Sequence, residues 1–372
     1  MTIDYNGSLI NLGIDRRESV SWRLQPKPFP DINEEVLHEV LNDVPIEIRK
    51  ELEITLREFP GQIGNTLGST KTIKQKLDVG NHKPVRGPVY RYNEEKTKIL
   101  CDLVRELERE GRIEPSQSAW SSPPVLVTKP DGSTRLCVNF KKINDLSEDD
   151  AYPMPDLLLT NKGLRGAKVF SSIDLRKGYY QVELEEGAKE LTAFTTPLGL
   201  YQFTVTPFGL KGAPRTFQRL MNEVLRAMIG VFVTVYIDDI LIYSHSLQEH
   251  LCHLQQVMER LRMHGLSFNL KKCRFAKPSL TYLGRTLDGN GIGKIPERLE
   301  CIARVPPPQG KKDVRKFLGQ CQWYAEFVHH YTEKVAPLTD LLTQGPWRWT
   351  EKEQQSFELI KHGILGAPKL CH

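Results

Sequence analysis

Two apolar, β-branched runs meet at adjacent carboxylates in Val231-Phe232-Val233-Thr234-Val235-Tyr236-Ile237-Asp238-Asp239-Ile240-Leu241-Ile242-Tyr243-Ser244. The composition of the runs favours strands, and the acids between them mark a tight hairpin. Strand alternation puts Phe232, Thr234, Tyr236 and Asp238 on one face and turns Val231, Val233, Val235 and Ile237 to the core. Anions beside so much buried Val and Ile are costly unless a cation compensates them, and a divalent ion is the natural compensator. From these residues alone, an ordinary Asp-Asp turn fits equally well.

A second short strand, Phe170-Ser171-Ser172-Ile173-Asp174-Leu175, also ends in an acid. A lone Asp there commonly caps the next element. This one precedes Arg176-Lys177-Gly178-Tyr179-Tyr180, whose cations, flexible Gly and aromatic rings suit phosphate and sugar. If the strands are neighbours, Asp174 and Asp238 can bridge two Mg²⁺ ions about 3.5–4 Å apart, the spacing that clamps both oxygens of a phosphoryl displacement. Carboxylates completed by water and substrate phosphate suit Mg²⁺ better than zinc.

The 372 residues allow about two or three compact units. The net charge of +5 is modest, but Arg260 to Lys316 holds fourteen Lys/Arg against four Asp/Glu. A surface with that excess tracks a phosphate backbone, where a merely solvated face would carry mixed signs. The seven cysteines form no CxxC pair, so reduced thiols in an intracellular protein are expected. His250 and His253 flank Cys252 without a second Cys pair at zinc-ligand spacing. Every apolar segment is interrupted within about 15 residues, which leaves no membrane span, and the N-terminus has no signal pattern. The expectation is a soluble chain with no membrane partner.

Residues 1–29 lack periodicity and lead into the linker-like Pro26-Lys27-Pro28-Phe29-Pro30. Helices are predicted over Pro45–Phe59, Glu94–Glu110, Ala213–Met228 and Ser246–His264, the last opened by a capping box of Ser246 and Glu249. A hairpin joins strands Val125–Val127 and Arg135–Phe140 through Pro130-Asp131-Gly132-Ser133. Beyond Pro296 the pattern is helical and basic, over Lys311–Phe317, Trp323–His330, Glu333–Leu342 and Glu351–Gly363. Helices against one side of an antiparallel sheet make an α+β layer, and the order strand, helix, hairpin, helix suits a split β-α-β unit. Asp78-Val79-Gly80 superficially matches an aspartic protease motif, but Val stands where a hydroxyl is needed.

Several blocks occur in one order: Ile113-Glu114-Pro115-Ser116 through Ser118-Ala119-Trp120-Ser121-Ser122-Pro123; Val127-Thr128-Lys129-Pro130-Asp131-Gly132-Ser133-Thr134-Arg135-Leu136-Cys137-Val138; the Asp174 strand; Pro207-Phe208-Gly209-Leu210-Lys211-Gly212-Ala213-Pro214; Tyr236-Ile237-Asp238-Asp239; and Tyr282-Leu283-Gly284. From about Val79 onward the chain resembles the reverse transcriptases of gypsy-group long-terminal-repeat retrotransposons. The resemblance implies a right-hand polymerase with fingers, a ferredoxin-like palm and a helical thumb. It divides the chain into an upstream polyprotein segment (1–80), fingers and palm (81–290), and a thumb leading toward an absent RNase H domain (291–372). The chain is then expected to be a fragment or truncated derivative of a Pol polyprotein and cytoplasmic, with virus-like particles and the nucleus left open.

The activity so implied is RNA-directed DNA synthesis with two Mg²⁺ ions, replaceable by Mn²⁺, on an RNA or DNA template–primer duplex with deoxynucleoside triphosphates; self-association stays open. Asp174, Asp238 and Asp239 would be catalytic and metal-binding, Asp239 the weaker ligand. Lys129 and Arg135 would fold onto the triphosphate, and Leu175, Arg176, Gly178, Tyr179, Phe208 and Gly209 would form the nucleotide pocket, with Tyr179 excluding a 2′-OH. Tyr236, Ile237, Leu283 and Gly284 would contact the primer. Lys272 could donate a proton to pyrophosphate, with Lys271 its rival. Asn139, Tyr180 and Arg215 depart from the family's usual Asp, His and small residue, but none removes a metal ligand. An RNA-dependent RNA polymerase, disfavoured by Tyr179, and a domesticated, catalytically weak nucleic-acid-binding derivative are the competing readings.

Overall fold

The computed structural model describes residues 2–3, 10–11, 32–64, 66–128, 132, 134–155, 164–343 and 345–370. In chain order the elements that matter here begin with helices α1 (Glu34–Asn42) and α2 (Ile46–Arg57) and strand β1 (Thr70–Gln75). Helix α3 (Glu94–Arg109) follows, then β2 (Ile113–Pro115) and the hairpin β3 (Pro124–Thr128) and β4 (Thr134–Val138). Next come β5 (Val169–Asp174), β6 (Val182–Leu184), β7 (Phe194–Thr196) and β8 (Gly199–Phe203).

The central unit adds α4 (Ala213–Val224), β9 (Val233–Tyr236), β10 (Asp239–Ser244), α5 (Leu247–Met263) and β11 (Arg274–Lys277) to β5. Its antiparallel sheet runs in the order β9-β10-β5-β11, so a β-α-β-β-α-β chain threads one sheet in ferredoxin-like fashion. The remainder is a meander, β12 (Ser279–Tyr282), β13 (Arg285–Asp288) and β14 (Gly291–Gly293), then helices α6 (Pro296–Ala303), α7 (Lys311–Gln322), α8 (Tyr331–Thr343) and α9 (Glu351–Gly366). The α+β right-hand arrangement is therefore present: fingers around α3 and β2-β8-β7, a palm on the four-stranded sheet, and a helical thumb.

Both faces of the palm sheet are covered. Ile173, Val233, Val235, Ile240 and Ile242 share a core with Leu220, Met221 and Val224 of α4 and Leu254, Val257 and Met258 of α5. On the other face Phe170, Leu241 and Tyr243 join the thumb core with Tyr282, Phe317 and Phe357. This corrects the one-sided alternation expected for the hairpin. Phe232 and Thr234 are buried along with Val233 and Val235, while Val231, placed in the core by its parity, lies before β9 and is 67 % exposed. Residues 34–63, set apart in sequence as an upstream segment, bury Leu37, Ile48 and Leu52 in the same core as the palm strands.

Local chemistry explains most helix ends. Asn93 accepts from Lys96 N at 3.0 Å to start α3, and Ser246 accepts from Glu249 N at 3.3 Å to start α5. Glu249 reaches back to accept from His245 N at 2.7 Å. Helix α4 stops at Val224, short of the expected Met228, with Leu225 and Met228 packed in the core before Gly230 turns the chain at φ +81°. The helix predicted over Trp323–His330 is only a 3-10 turn at Ala325–Phe327, and α7 runs on to Gln322 instead.

A polar seam crosses the buried side of the palm. His250 of α5 lies 2.6 Å through Nε2 from Ser171 Oγ on β5 and 2.7 Å through Nδ1 from Ser244 Oγ on β10. Ser171 Oγ also accepts from Ala276 N at 2.9 Å, where β11 bulges. Ser244 Oγ is 2.8 Å from His253 Nδ1, and the His253 ring stacks on Phe232 at 3.8 Å. No described helix is long and apolar enough to cross a membrane.

Candidate active site

Strands β9 and β10 pair with Tyr236 opposite Asp239, which leaves Ile237 and Asp238 as a two-residue turn. Across the other edge of β10, Asp239 stands opposite Asp174 at the end of β5. Directly opposed residues share a face, so these two carboxylates look the same way. Asp238 sits at the tip and leans toward the segment after β5: a Cβ built on Gly178 would lie 3.5 Å from its Cβ. The fold thus gathers Asp174, Asp238 and Asp239 from distant parts of the sequence.

Each carboxylate feels the others. Burial pushes the Asp239 carboxyl up to about 6, with repulsion from Asp238 and Asp174 adding to it and Lys272 opposing. Asp174 is raised chiefly by burial, then by Asp238, while the Lys272 ammonium, 3.6 Å from its Oδ2, pulls it back. A cluster that resists its own charge gains most from a cation. The donors are all hard carboxylate oxygens with no His or Cys, which suits Mg²⁺ or Mn²⁺. Among the described residues no three acids, His or Cys converge at metal-binding spacing. This donor set fits ions whose remaining ligands come from substrate and water.

Beside the acids lies an aromatic pocket. The Tyr179 ring meets Phe208 edge-on at 5.3 Å and Phe217 of α4 at 5.5 Å. Burial, then the nearby Asp238, pushes its hydroxyl up to about 12. Arg135 of the fingers hairpin places its guanidinium 5.4 Å above the Phe208 ring. Gly209 holds φ +100°, and a Cβ there would come within 3.4 Å of Val138 O, so the backbone passes the hairpin closely. Gly178 is buried against Phe217, 3.1 Å from a built Cβ.

Two sequence-predicted pocket residues point elsewhere. Leu175 is a core side chain, 3 % exposed, and offers only backbone to the pocket. Arg176 donates to Gly64 O at 2.9 Å and lines a separate cleft with Arg112 and Lys177. Alternation turns Leu175 away from Asp174, the bond to Gly64 O draws Arg176 aside, and past the turn at Lys177, φ +43°, the chain presents Gly178 and Tyr179 to the acids. Lys129 lies outside the described residues. Of the lysine pair, Lys272 approaches Asp174, while Lys271 is exposed and makes no such approach.

Leu283 (φ +46°) and Gly284 (φ +76°) turn β12 into β13 with Tyr282 opposite Arg285. Two positive φ values make a hairpin turn matched to strand twist. The Tyr282 hydroxyl donates to Asp239 O at 3.0 Å, tying this turn to the strand that carries Asp239. Trp323 at the end of α7 packs on Gly284, 3.4 Å from a built Cβ, and stays 36 % exposed. Neither role shows in the sequence, where Tyr282 is only the first letter of a motif and Trp323 falls inside an expected helix.

A family model described as reverse transcriptase (RNA-dependent DNA polymerase) matches residues 127–287. The retrovirus-related Pol polyprotein from transposon 297 of Drosophila melanogaster is 34% identical over 314 residues, covering 82% of this chain and 30% of that protein. The corresponding protein of transposon gypsy is 30% identical over 347 residues, with coverages of 90% and 33%. The enzymatic polyprotein of cauliflower mosaic virus (strain Strasbourg) is 35% identical over 277 residues, covering 72% and 40%. A foamy viral protease–reverse transcriptase, solved with double-stranded DNA, superposes at a TM-score of 0.82 with 23% identity, over 91% of this chain and 61% of that one. The last is a likeness of fold, and the chain spans only 30–40% of the length of these polyprotein relatives. The fold is the right-hand fold of the nucleotide polymerases. Residues 127–287 belong to the reverse transcriptase family, and most of the chain is similar to the Pol proteins of gypsy-type retrotransposons.

Proposed function

We propose that this chain adds deoxynucleotides to a primer 3′-OH on an RNA or DNA template. The observation that carries the reading is the register of Asp239 opposite Asp174, with Asp238 at the adjoining tip and Tyr179, Phe208 and Arg135 beside them. Two divalent ions held there would lower the pKa of the primer hydroxyl and neutralise the triphosphate and leaving pyrophosphate. Asp174 and Asp238 are the proposed bridging ligands, and Asp239 supports them from the next position. Arg135 binds triphosphate oxygens, together with Lys129 from the same hairpin. Tyr179 underlies the sugar and excludes a 2′-OH. Lys272, exposed and next to Asp174, is placed to pass a proton to pyrophosphate. The Leu283–Gly284 turn and the Trp323 ring hold the primer strand of the duplex.

The test is extension of a labelled primer on RNA and DNA templates with Mg²⁺, comparing wild type with Asp238→Asn. The substitution removes a metal-binding charge at nearly constant volume, so extension should vanish while duplex binding persists. Full activity in the variant would remove the hairpin from the mechanism. Binding without extension in the wild type would identify the chain as the non-catalytic derivative.

A further inference from the structure

Ile237 is a residue ill suited to its position. It opens the two-residue turn at φ +57°, a left-handed conformation that β-branched side chains seldom hold and that hairpins usually assign to Gly or Asn. Something outside the turn has to keep it there, because the side chain favours leaving.

Gln218 supplies that hold. It is fully buried on the α4 face that packs under the hairpin, amid Phe217, Leu220 and Met221. Its Oε1 accepts from Ile237 N at 2.7 Å, and its Nε2 donates to Asn222 Oδ1 at 2.9 Å and reaches Val235 O at 3.4 Å. The Ile237 N–H can only donate, so the amide orientation follows from the bond. A buried amide survives only when its polar atoms are paired, and here the partners are the turn, the incoming strand and α4 itself. The preceding residue, Phe217, meets Gly178 and the Tyr179 ring. One turn of α4 thus supports both the aromatic pocket and the hairpin tip.

We propose that Gln218 is a positioning residue: it holds the Ile237–Asp238 turn in its left-handed form and so aims the Asp238 carboxylate at the Gly178–Tyr179 side of the site. The proposal rests on the polymerase reading for its consequence in catalysis, but the hold itself is independent of activity. Replacing Ile237 by Gly removes the backbone conflict, since Gly takes positive φ freely. The clamp should then become dispensable.

The experiment is a double-mutant cycle of Gln218→Met and Ile237→Gly, read in three ways: primer extension, Mn²⁺ binding followed by loss of the free-ion EPR signal with primer–template present, and thermal unfolding. Gln218→Met alone should lower kcat about tenfold or more, equivalent to 1.36 kcal/mol of barrier per factor of ten, with a smaller change in nucleotide KM. It should also weaken Mn²⁺ binding several-fold, on the order of the loss in rate. In the Ile237→Gly background both losses should largely disappear. Simple additivity in the cycle, or Mn²⁺ affinity unmoved by Gln218→Met, overturns the proposal, since loss of packing alone would be additive. If wild type extends no primer, the polymerase reading fails, while the Mn²⁺ and unfolding cycles still decide the clamp. Should Gln218→Met not fold, hydrogen exchange of the wild type decides it: the Ile237 amide must be protected, and exchange at an open-loop rate refutes the hold.

Discussion

His250 makes the palm acid-sensitive in a way that can be calculated. Its ring is enclosed between Ser171, Ser244 and the α5 backbone, and burial, reinforced by His253, depresses its pKa from 6.5 to about 3, with Glu249 weakly opposing. Below pH 6.5 the unfolded chain binds a proton at this site that the folded chain refuses. The contribution to stability is therefore complete above pH 6.5 and is lost as the pH falls toward 3. At 1.36 kcal/mol per pH unit the loss is about 2 kcal/mol at pH 5 and about 5 kcal/mol near pH 3. Asp174 and Asp239, whose pKa values are raised, act with the opposite sign, since their protonated forms are favoured on folding. Their effect cancels when wild type is compared with His250→Gln. Urea unfolding at pH 5, 6, 7 and 8 supplies the measurement. Wild type should lose about 2 kcal/mol more than the variant between pH 7 and 5, although the variant starts less stable. Parallel pH curves would refute the reasoning, because they would mean that the ring titrates normally in the folded chain.

Three further outcomes are expected. Tyr179→Ala should admit ribonucleotides, because relief of a clash worth roughly 1–3 kcal/mol shifts the deoxy-to-ribo incorporation ratio ten- to a hundredfold, on the order set by transition-state arithmetic; an unchanged ratio sinks the steric role. Neutralising Lys312, Arg315 and Lys316, all exposed on α7, should flatten the slope of log K for primer–template against log salt by about 0.9 for each phosphate no longer neutralised, and an unaltered slope would place the duplex elsewhere. Tyr282→Phe removes the bond to Asp239 O and should cost about 1 kcal/mol of stability with a measurable rise in primer KM; wild-type values for both would show the link to be idle.

The acids and the helix caps were legible in the sequence because each leaves a local mark. Adjacent Asp residues between β-branched runs allow few folds, and Ser246 ahead of a periodic segment marks a helix start by its own hydrogen bond. What could not be read depends on what covers each surface. The alternation assigned to β9 failed because thumb and helices enclose the palm sheet from both sides, so parity carries no information at Phe232 or Thr234. Arg176 lies away from the pocket expected of it because its guanidinium donates to Gly64 O, more than a hundred residues earlier in the chain. Gln218 did leave a trace, a polar amide on the apolar stripe of Phe217, Leu220, Met221 and Val224, but its partner is set by the backbone conformation of Ile237, which sequence does not display.

The place of β5 in the middle of its sheet bears on how the chain is made. Its neighbours β10 and β11 both come later in sequence, and β11 is completed only at Lys277, roughly a hundred residues further on, so these pairings are strongly non-local. A growing chain emerging from the ribosome would carry Phe170, Ile173 and Asp174 on a strand with two unpaired edges until β10 is made, and with one until β11 follows. The β7–β8 hairpin can condense first, since a short turn joins its strands, whereas β2 must wait for β8 as β5 waits for β10. The three acids come together only once β10 has been made, and the nascent palm passes through an interval in which a chaperone or a second chain can compete for the open strand.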